Sequence, residues 1–144
     1  SSAASDVYKR QIVGPGQLPD YGMVLPRFIK AAKANEDIVV YGDGNQIRSF
    51  CHIDDAVDAV LKVSTINGEL FNIGNDQPIS IKELAETVIR LTGSSSKIIL
   101  VPYEQAFSKH HGDIYKRIPD LTKIKSMTGY QPQHDLEKII KDMI

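Results

Sequence analysis

Apolar residues recur at helical spacing in five stretches of the chain, and short β-branched runs lie between them. The spacing i, i+3, i+4, i+7 is typical of amphipathic helices. The predicted helix faces are Leu25, Phe28, Ile29 and Ala32; Val57, Val60, Leu61 and Ser64; Ile81, Leu84, Ala85, Val88 and Ile89; Leu121, Ile124 and Met127; and Leu136, Ile139, Ile140 and Met143. The predicted strands are Ile38–Tyr41, Ile47–His52, Leu70–Gly74 and Ile98–Val101. Because helices and strands alternate, the pattern predicts an α/β fold.

Turn and cap residues divide these elements. The segment 42–45 (GDGN) is typical of a tight turn, so we expect a hairpin between the first two strands. Asp54 or Asp55 can cap the helix that follows. Ser80 and Glu83 form a capping-box pattern at the start of the third helix.

Composition narrows the class of protein. The chain has 144 residues, enough for one domain, with 42% hydrophobic residues and a net charge of −1. This charge argues against a strongly basic nucleic-acid binder. Cys51 is the single cysteine, so no internal disulfide can form, and a reducing cytoplasmic location is expected. No apolar run is long enough to predict a membrane span.

The beginning of the chain has no periodic pattern. Residues 1–11 (SSAASDVYKRQ) are small, polar or irregular, and we interpret them as a frayed or non-native tail. The predicted domain therefore covers residues 12–144.

Several catalytic motifs are missing from the sequence. Dinucleotide binding needs a glycine-rich turn between a strand and a helix, and segments 14–16 (GPG) and 42–44 (GDG) each lack the third glycine. No tyrosine is followed four residues later by a lysine that could lower its pKa for proton transfer. No zinc-ligand spacing occurs, and His110 and His111 fit a solvated loop. We therefore expect no catalytic, cofactor-binding or metal-binding residue in this chain.

Arg48 is the strongest candidate for binding a ligand. It lies between apolar Ile47 and Phe50, where a guanidinium is costly to bury without an anionic partner. Its planar geometry suits a phosphate or diphosphate. The alternative is a structural ion pair with Asp54 or Asp55.

Several motifs together resemble one enzyme family. They are 14–15 (GP), 21–29 (YGMVLPRFI), 40–50 (VYGDGNQIRSF), 54–55 (DD), 71–74 (FNIG), 79–84 (ISIKEL), 117–120 (RIPD) and 128–132 (TGYQP). In this order they resemble the C-terminal, substrate-binding half of the Rossmann-type extended short-chain dehydrogenase/reductases. The resemblance is to the NAD-dependent nucleotide-sugar epimerases and dehydratases, and is closest to UDP-glucose 4-epimerase-like and UDP-glucuronate decarboxylase-like enzymes.

The resemblance implies roles for five residues. Arg48 would grip the substrate diphosphate, Val39 and Tyr41 would line the nucleoside base, and Phe28 would wall the same pocket. Arg117 would lie near the diphosphate or ribose; the alternative is a surface arginine that pairs with Asp113 or Asp120. Two departures from the family pattern are Gln11 in place of an asparagine and Gly16 in place of an arginine.

The resemblance also implies a function. The chain would be the substrate-binding fragment of an NAD-dependent epimerase, dehydratase or decarboxylase that acts on a UDP-sugar through a 4-keto intermediate. NAD would be bound by the N-terminal half, which this chain lacks, so the chain alone would be inactive. The parent enzyme would be a cytoplasmic homodimer without nucleic-acid or membrane partners. The alternative is a non-catalytic nucleotide-sugar-binding or interaction module.

Overall fold

The computed structural model describes residues 11–21, 23–103 and 114–144. The strands in these residues are β1 (Ile12–Val13), β2 (Ile38–Tyr41), β3 (Ile47–Arg48), β4 (Cys51–His52), β5 (Ile79–Ser80) and β6 (Ile98–Val101). The helices are α1 (Val24–Lys33), α2 (Ile53–Val63), α3 (Ile81–Thr92), α4 (Thr122–Thr128) and α5 (Leu136–Met143), with a 3-10 turn at Pro19–Tyr21. This alternation confirms the predicted α/β class.

The described strands form three separate pairs. β2 and β6 run parallel, with Ile38 opposite Ile98, and β1 and β4 form a shorter parallel pair. β3 and β5 are antiparallel, with Ile47 opposite Ser80. Ile47 also makes a parallel bridge to Lys116, so the chain after residue 113 lies along the other edge of β3.

The helices cover one face of the β2–β6 pair. α1 and α3 pack against each other and against β2, and α5 packs on both helices. The main core contains Val13, Leu25, Phe28, Ile29, Ala32, Ile38, Val40, Phe50, Leu84, Ala85, Val88, Ile139 and Ile140. A second core, beneath α2 and α4, contains Ala59, Leu121, Ile124 and Tyr130.

The capping box of α3 is formed as predicted. The Ser80 hydroxyl accepts a hydrogen bond from Glu83 N, and the Glu83 carboxylate accepts one from Ser80 N. Gly93 ends the helix in the left-handed conformation, with φ of 65°. Local sequence signals therefore fix both ends of this helix.

The predicted hairpin between residues 38–41 and 47–52 is wrong. Gly42 N donates to Val101 O (2.8 Å), so β2 continues its ladder with β6. The turn's carbonyls bond to the start of α3: Lys82 N donates to Gly44 O (2.9 Å) and Ile81 N to Gln46 O (3.0 Å). The turn therefore leads the chain away from β2, and the expected return strand divides into β3 and β4.

The predicted strand Leu70–Gly74 is absent from the structure. Leu70 is 79% exposed, and the polar groups of this stretch bond to the C-terminal part of the chain. Asn72 Nδ2 donates to Asp120 O (3.1 Å), and the Tyr130 hydroxyl donates to Gly74 O (2.8 Å). These side-chain contacts take the place of the strand-to-strand hydrogen bonds that the prediction implied.

Helix α2 begins earlier than predicted, with His52 rather than an aspartate as its N-cap. His52 Nδ1 accepts a hydrogen bond from Asp54 N at 3.1 Å. The apolar residues that the periodicity places along one face of this helix lie on its exposed side. Val57 is 50% exposed, whereas Asp55 and Ala59 are buried.

Two predictions fall wholly or mainly on residues outside the described ranges. They are the tail at residues 1–11, of which Gln11 alone is described, and the loop with His110 and His111. Gln11 Nε2 donates to Arg117 O at 3.0 Å. The domain boundary at residue 12 stays a prediction.

Candidate functional site

Arg48 lies on strand β3, and hydrogen bonds to main-chain carbonyls hold its guanidinium. Arg48 Nη1 donates to Ile47 O (2.8 Å) and to Ile114 O (2.9 Å), and the side chain is half-buried. Both acceptors are main-chain carbonyls, and these two bonds orient the guanidinium. A fixed cationic plane of this kind can bind a phosphate with two parallel hydrogen bonds.

The two aspartates considered as ion-pair partners of Arg48 bond elsewhere. The buried Asp55 carboxylate accepts hydrogen bonds from Gln133 N and His134 N, each at 3.0 Å, and lies 2.9 Å from His134 Nδ1. The Asp54 carboxylate lies 3.5 Å from His52 Nδ1. Asp55 therefore ties the start of α2 to the loop before α5, and the proposed structural ion pair with Arg48 is not found.

Arg117 lies beside Arg48. Arg117 N donates to Ile47 O at 3.0 Å, the same carbonyl that accepts from Arg48 Nη1. One backbone oxygen thus joins the two arginines that the sequence places 69 positions apart. Arg48 reaches this oxygen through its guanidinium, and Arg117 reaches it through its backbone amide.

The alternative partners of Arg117 give no ion pair in the described residues. The Asp120 carboxylate accepts a hydrogen bond from Thr122 N at 2.9 Å, and the Thr122 hydrogen bonds lower the pKa of Asp120. Asp113 lies outside the described residues. The Asp120 carboxylate thus accepts a hydrogen bond from the first turn of α4.

Val39 and Tyr41 lie on the open face of β2. The strand alternates, so Ile38 and Val40 are buried while these two side chains are half-exposed. Arg27 joins them: its guanidinium lies 4.9 Å from the centre of the Tyr41 ring, and its Nη2 donates to Val39 O (3.4 Å). This is a cation–π contact, and it holds the Tyr41 ring in place as a flat surface at the edge of the sheet.

Phe28 lies beneath this surface rather than on it. It is 1% exposed and belongs to the main core, with the Arg27 guanidinium 5.8 Å from its ring centre. Sequence reasoning singled out Phe28 and missed Arg27, although both belong to the segment 21–29. The signal that sequence reasoning missed is the helical position of Arg27, which lies on the side of α1 that faces β2.

The turn after Tyr41 requires glycine for two reasons. Gly42 has φ of 76°, and a Cβ there would lie 2.5 Å from Tyr103 Cε2. The Gln46 amide fills the turn, donating to Tyr41 O (3.2 Å) and to the Tyr103 hydroxyl (2.9 Å). This network fixes the path from β2 to the arginine on β3.

A histidine pair lies apart from these residues. The rings of His52 and His134 stack with centroids 4.2 Å apart, and Asp142 Oδ2 lies 3.6 Å from His52 Nε2. His52 Nδ1 accepts from Asp54 N, so a neutral His52 keeps its proton on Nε2 and offers no lone pair there. The rings are nearly parallel, at 13°, so their in-plane lone pairs do not converge on one ion. The cluster fits a structural contact better than a metal site.

The described residues do not fit a dinucleotide. Gly14 and Gly16 follow the two-residue strand β1 and lead to a 3-10 turn, not to the N-terminus of an α-helix. A pyrophosphate site of the Rossmann type needs that helix N-terminus. The glycines of this segment therefore do not form a dinucleotide site of the Rossmann type.

Comparison with known proteins gives the class of this fold. A solved structure of UDP-glucose 4-epimerase with UDP-glucose from Thermotoga maritima superposes with a TM-score of 0.79 and 30% identity, over 91% of this chain and 41% of that chain. UDP-glucuronic acid 4-epimerase from Bacillus cereus, in complex with UDP-glucuronic acid and NAD, shares the fold with a TM-score of 0.78 over 92% of this chain. The chain thus has the fold of Rossmann-type extended short-chain dehydrogenase/reductases.

Sequence relatives give the family. A model of the NAD dependent epimerase/dehydratase family matches residues 10–74. UDP-N-acetyl-alpha-D-glucosaminuronate decarboxylase from Bacillus cytotoxicus is 42% identical over 126 residues, which are 86% of this chain and 39% of that protein. The chain belongs to the NAD-dependent epimerase/dehydratase family, and it spans about two fifths of that relative's length.

None of the helices in the described ranges is both long enough and apolar enough to span a bilayer.

Proposed function

We propose that this chain is the substrate-binding part of an NAD-dependent nucleotide-sugar epimerase, dehydratase or decarboxylase, and that its ligand is a UDP-sugar. The observation that carries the proposal is the meeting of Arg48 and Arg117 at the Ile47 carbonyl. The printed names of its relatives support the ligand class, since both a 42% identical decarboxylase and a 30% identical epimerase act on or bind UDP-sugars.

The two arginines would hold the diphosphate. Arg48 is oriented by main-chain carbonyls, so little side-chain freedom is lost when a ligand binds. Its guanidinium would donate to phosphate oxygens, and Arg117 would add positive charge from the neighbouring segment. Hydrogen bonds of this charged type contribute roughly 1.5–3 kcal/mol each.

The open face of β2 would receive the nucleoside base. Val39 and Tyr41 offer apolar surface, and Arg27 keeps the Tyr41 ring in place. Phe28 would support this surface from within the core. Base and diphosphate sites on β2 and β3 would together position the sugar, which is a contribution to catalysis through orientation.

The chemical step would belong to the remainder of a longer enzyme. The hydride chemistry implied by the family resemblance, with its 4-keto intermediate and NAD, has no matching groups in this chain. A cytoplasmic homodimer is part of the same proposal. The alternative, a non-catalytic nucleotide-sugar-binding module, predicts an upstream reading frame that lacks a glycine-rich turn and a Tyr-x-x-x-Lys motif.

Calorimetric titration with UDP tests the site. We expect Arg48→Ala to weaken UDP binding at least tenfold, since about 1.4 kcal/mol corresponds to a factor of ten. Arg48→Lys should recover only part of the affinity, because an ammonium keeps the charge and loses the planar pair of donors. Arg117→Ala should have a smaller effect than Arg48→Ala.

Two controls decide how the titration is interpreted. Lys123→Ala removes a positive charge next to Phe71, and it should leave UDP binding unchanged. Circular dichroism and thermal melts establish that each variant is folded. If a folded Arg48→Ala variant binds UDP as tightly as the wild type, the site assignment fails; if that variant unfolds, full affinity in Arg48→Lys has the same meaning.

A further inference from the structure

Arg27 is a half-buried cation that has aromatic rings, and no acidic group, as its neighbours in the described residues. Its guanidinium lies over the Tyr41 ring, 4.9 Å from the ring centre, and 5.8 Å from the centre of the Phe28 ring. Within the same ranges it makes one hydrogen bond, from Nη2 to Val39 O, which is long at 3.4 Å. The charge of Arg27 is therefore offset by ring faces and a carbonyl rather than by a carboxylate.

Surface cations elsewhere in the chain have acidic partners. Arg90 donates to Glu137 and Lys62 donates to Asp58, each at 2.6 Å. A guanidinium has several N–H donors in one plane and no acceptor, and Arg27 uses one of them on a described residue. Removing a guanidinium from water is costly unless hydrogen-bond acceptors replace the water. Arg27 therefore has the chemistry of a group that is completed by a ligand with oxygen acceptors.

Arg27 lies at the edge of β2 that faces away from β6. The amides of Ile38 and Gly42 donate to main-chain carbonyls on the β6 side, at 2.8 Å each. Successive residues of a strand direct their N–H and C=O groups to opposite edges. The Val39 carbonyl, which accepts from Arg27, is therefore on the other edge. This edge adjoins the surface of Val39 and Tyr41 that we propose for the base.

The surroundings hold the Arg27 guanidinium in one place. Helix α1 packs on β2, and the positions on both sides of Arg27, Pro26 and Phe28, are buried. The cation–π contact with Tyr41 limits the side chain further. Little side-chain freedom is then lost when a ligand binds. The hydrogen bond to Val39 O is longer than the usual range, so a better-placed acceptor can replace it.

We propose that Arg27 determines which base this chain accepts, by donating a hydrogen bond to a carbonyl oxygen of a uracil ring bound at the edge of β2. This proposal rests on the proposed function, in which the ligand is a UDP-sugar. Uracil has a carbonyl group at C4, where cytosine has an amino group. Because a guanidinium donates and cannot accept, it favours the carbonyl and opposes the amino group. The chain should therefore prefer UDP to CDP.

Two other roles for Arg27 lead to different expectations. An arginine that only holds the Tyr41 ring would support all bases alike, because stacking on an aromatic ring tolerates any base. An arginine that binds the diphosphate would act equally on pyrophosphate, which has no base. The hydrogen bonds of Arg27 and Arg48 go to different strands, β2 and β3, and this separation favours a role for Arg27 at the base.

Calorimetric titration with UDP, CDP and inorganic pyrophosphate tests the proposal. The wild type should bind UDP at least about fivefold more tightly than CDP. Arg27→Met, which keeps an apolar stem, should reduce this ratio to below about twofold and leave the pyrophosphate affinity unchanged. Arg27→Gln should also reduce the ratio, because an amide both donates and accepts. Lys30→Met removes an exposed charge from the same helix and is the matched control, with all three affinities unchanged.

Three results would overturn the inference. They are equal affinities of the wild type for UDP and CDP, an unchanged UDP preference in a folded Arg27 variant, and equal losses for UDP, CDP and pyrophosphate. If circular dichroism shows that Arg27→Met is unfolded, the wild-type preference and Arg27→Gln decide. A wild type that does not bind UDP contradicts the proposed function, whereas UDP binding that depends on Arg48 and shows no base preference contradicts this inference alone.

Discussion

Cys51 shows how far burial controls the chemistry of a single residue. Its side chain is fully buried, with Sγ 3.4 Å from His52 O and 3.8 Å from the Tyr130 hydroxyl. Burial raises the pKa of the Cys51 thiol to about 11 and also raises the pKa of Tyr130. The thiolate is the reactive form of cysteine, so a thiol held protonated is chemically inert.

We expect Cys51 to resist alkylation in the folded chain. At pH 7.5, iodoacetamide should modify it far more slowly in buffer than in 8 M urea, with mass spectrometry as the readout. Because the folded pKa is raised above the ordinary value of 9.0, the associated stability is complete below pH 9 and is lost as the pH rises towards about 11. Equal alkylation rates in buffer and urea would contradict this burial.

At the scale of single elements, α3 depends on its first turn. The Ser80 hydroxyl accepts from Glu83 N, and the Glu83 carboxylate accepts from both Ser80 N and Ser80 Oγ. These hydrogen bonds from Ser80 lower the pKa of Glu83. The cap contributes to the whole fold, because Leu84 and Val88 of the same helix are fully buried in the main core.

Removing this cap should destabilise the chain measurably. We expect Ser80→Ala to reduce the free energy of unfolding by about 1 kcal/mol, as N-cap replacements do. Thr87→Ala, within the same helix, should change it by less than about 0.5 kcal/mol, because no N-terminal amide depends on that side chain. Urea unfolding followed by circular dichroism provides both values, and equal stability of Ser80→Ala and the wild type would show that the capping box contributes nothing.

At the scale of the whole molecule, the proposed function separates substrate recognition from the chemical step. Arg48 and Arg117 meet on adjoining segments, yet the sequence contains no tyrosine with a lysine four residues later. The turn around Gly14 and Gly16 does not lead into an α-helix. Under the proposed function, this chain would bind the nucleotide sugar, and another part of the enzyme would transfer its proton and hydride.

The isolated chain should be inactive as an enzyme. We expect no conversion of UDP-glucose or UDP-glucuronate when the purified chain is incubated with added NAD, followed by chromatography of the nucleotide sugars. The complete UDP-N-acetyl-alpha-D-glucosaminuronate decarboxylase from Bacillus cytotoxicus, assayed with the substrate in its name, is the positive comparison. Turnover by the pure chain would contradict the assignment of the chemistry to another part of the enzyme.

Local signals in the sequence were sufficient to predict most of the helices. The helix periodicity, the Ser80–Glu83 capping box and the helix-ending Gly93 predicted α3, and the alternation of elements predicted the α/β class. The family could also be recognised from ordered motifs. These features are short-range, so the residues that cause them are neighbours in the sequence.

The tertiary structure decided which distant segments meet. β2 pairs with β6, 60 positions away, and not with the strand that follows its turn, because α3 takes the turn's hydrogen bonds. Asp55 bonds to residues 133–134, and Arg48 donates hydrogen bonds to the carbonyls of Ile47 and Ile114. Helical periodicity identified the apolar residues of α2, but periodicity alone does not tell which side of the helix faces the core: Asp55 and Ala59 are buried, whereas Val57 is 50% exposed.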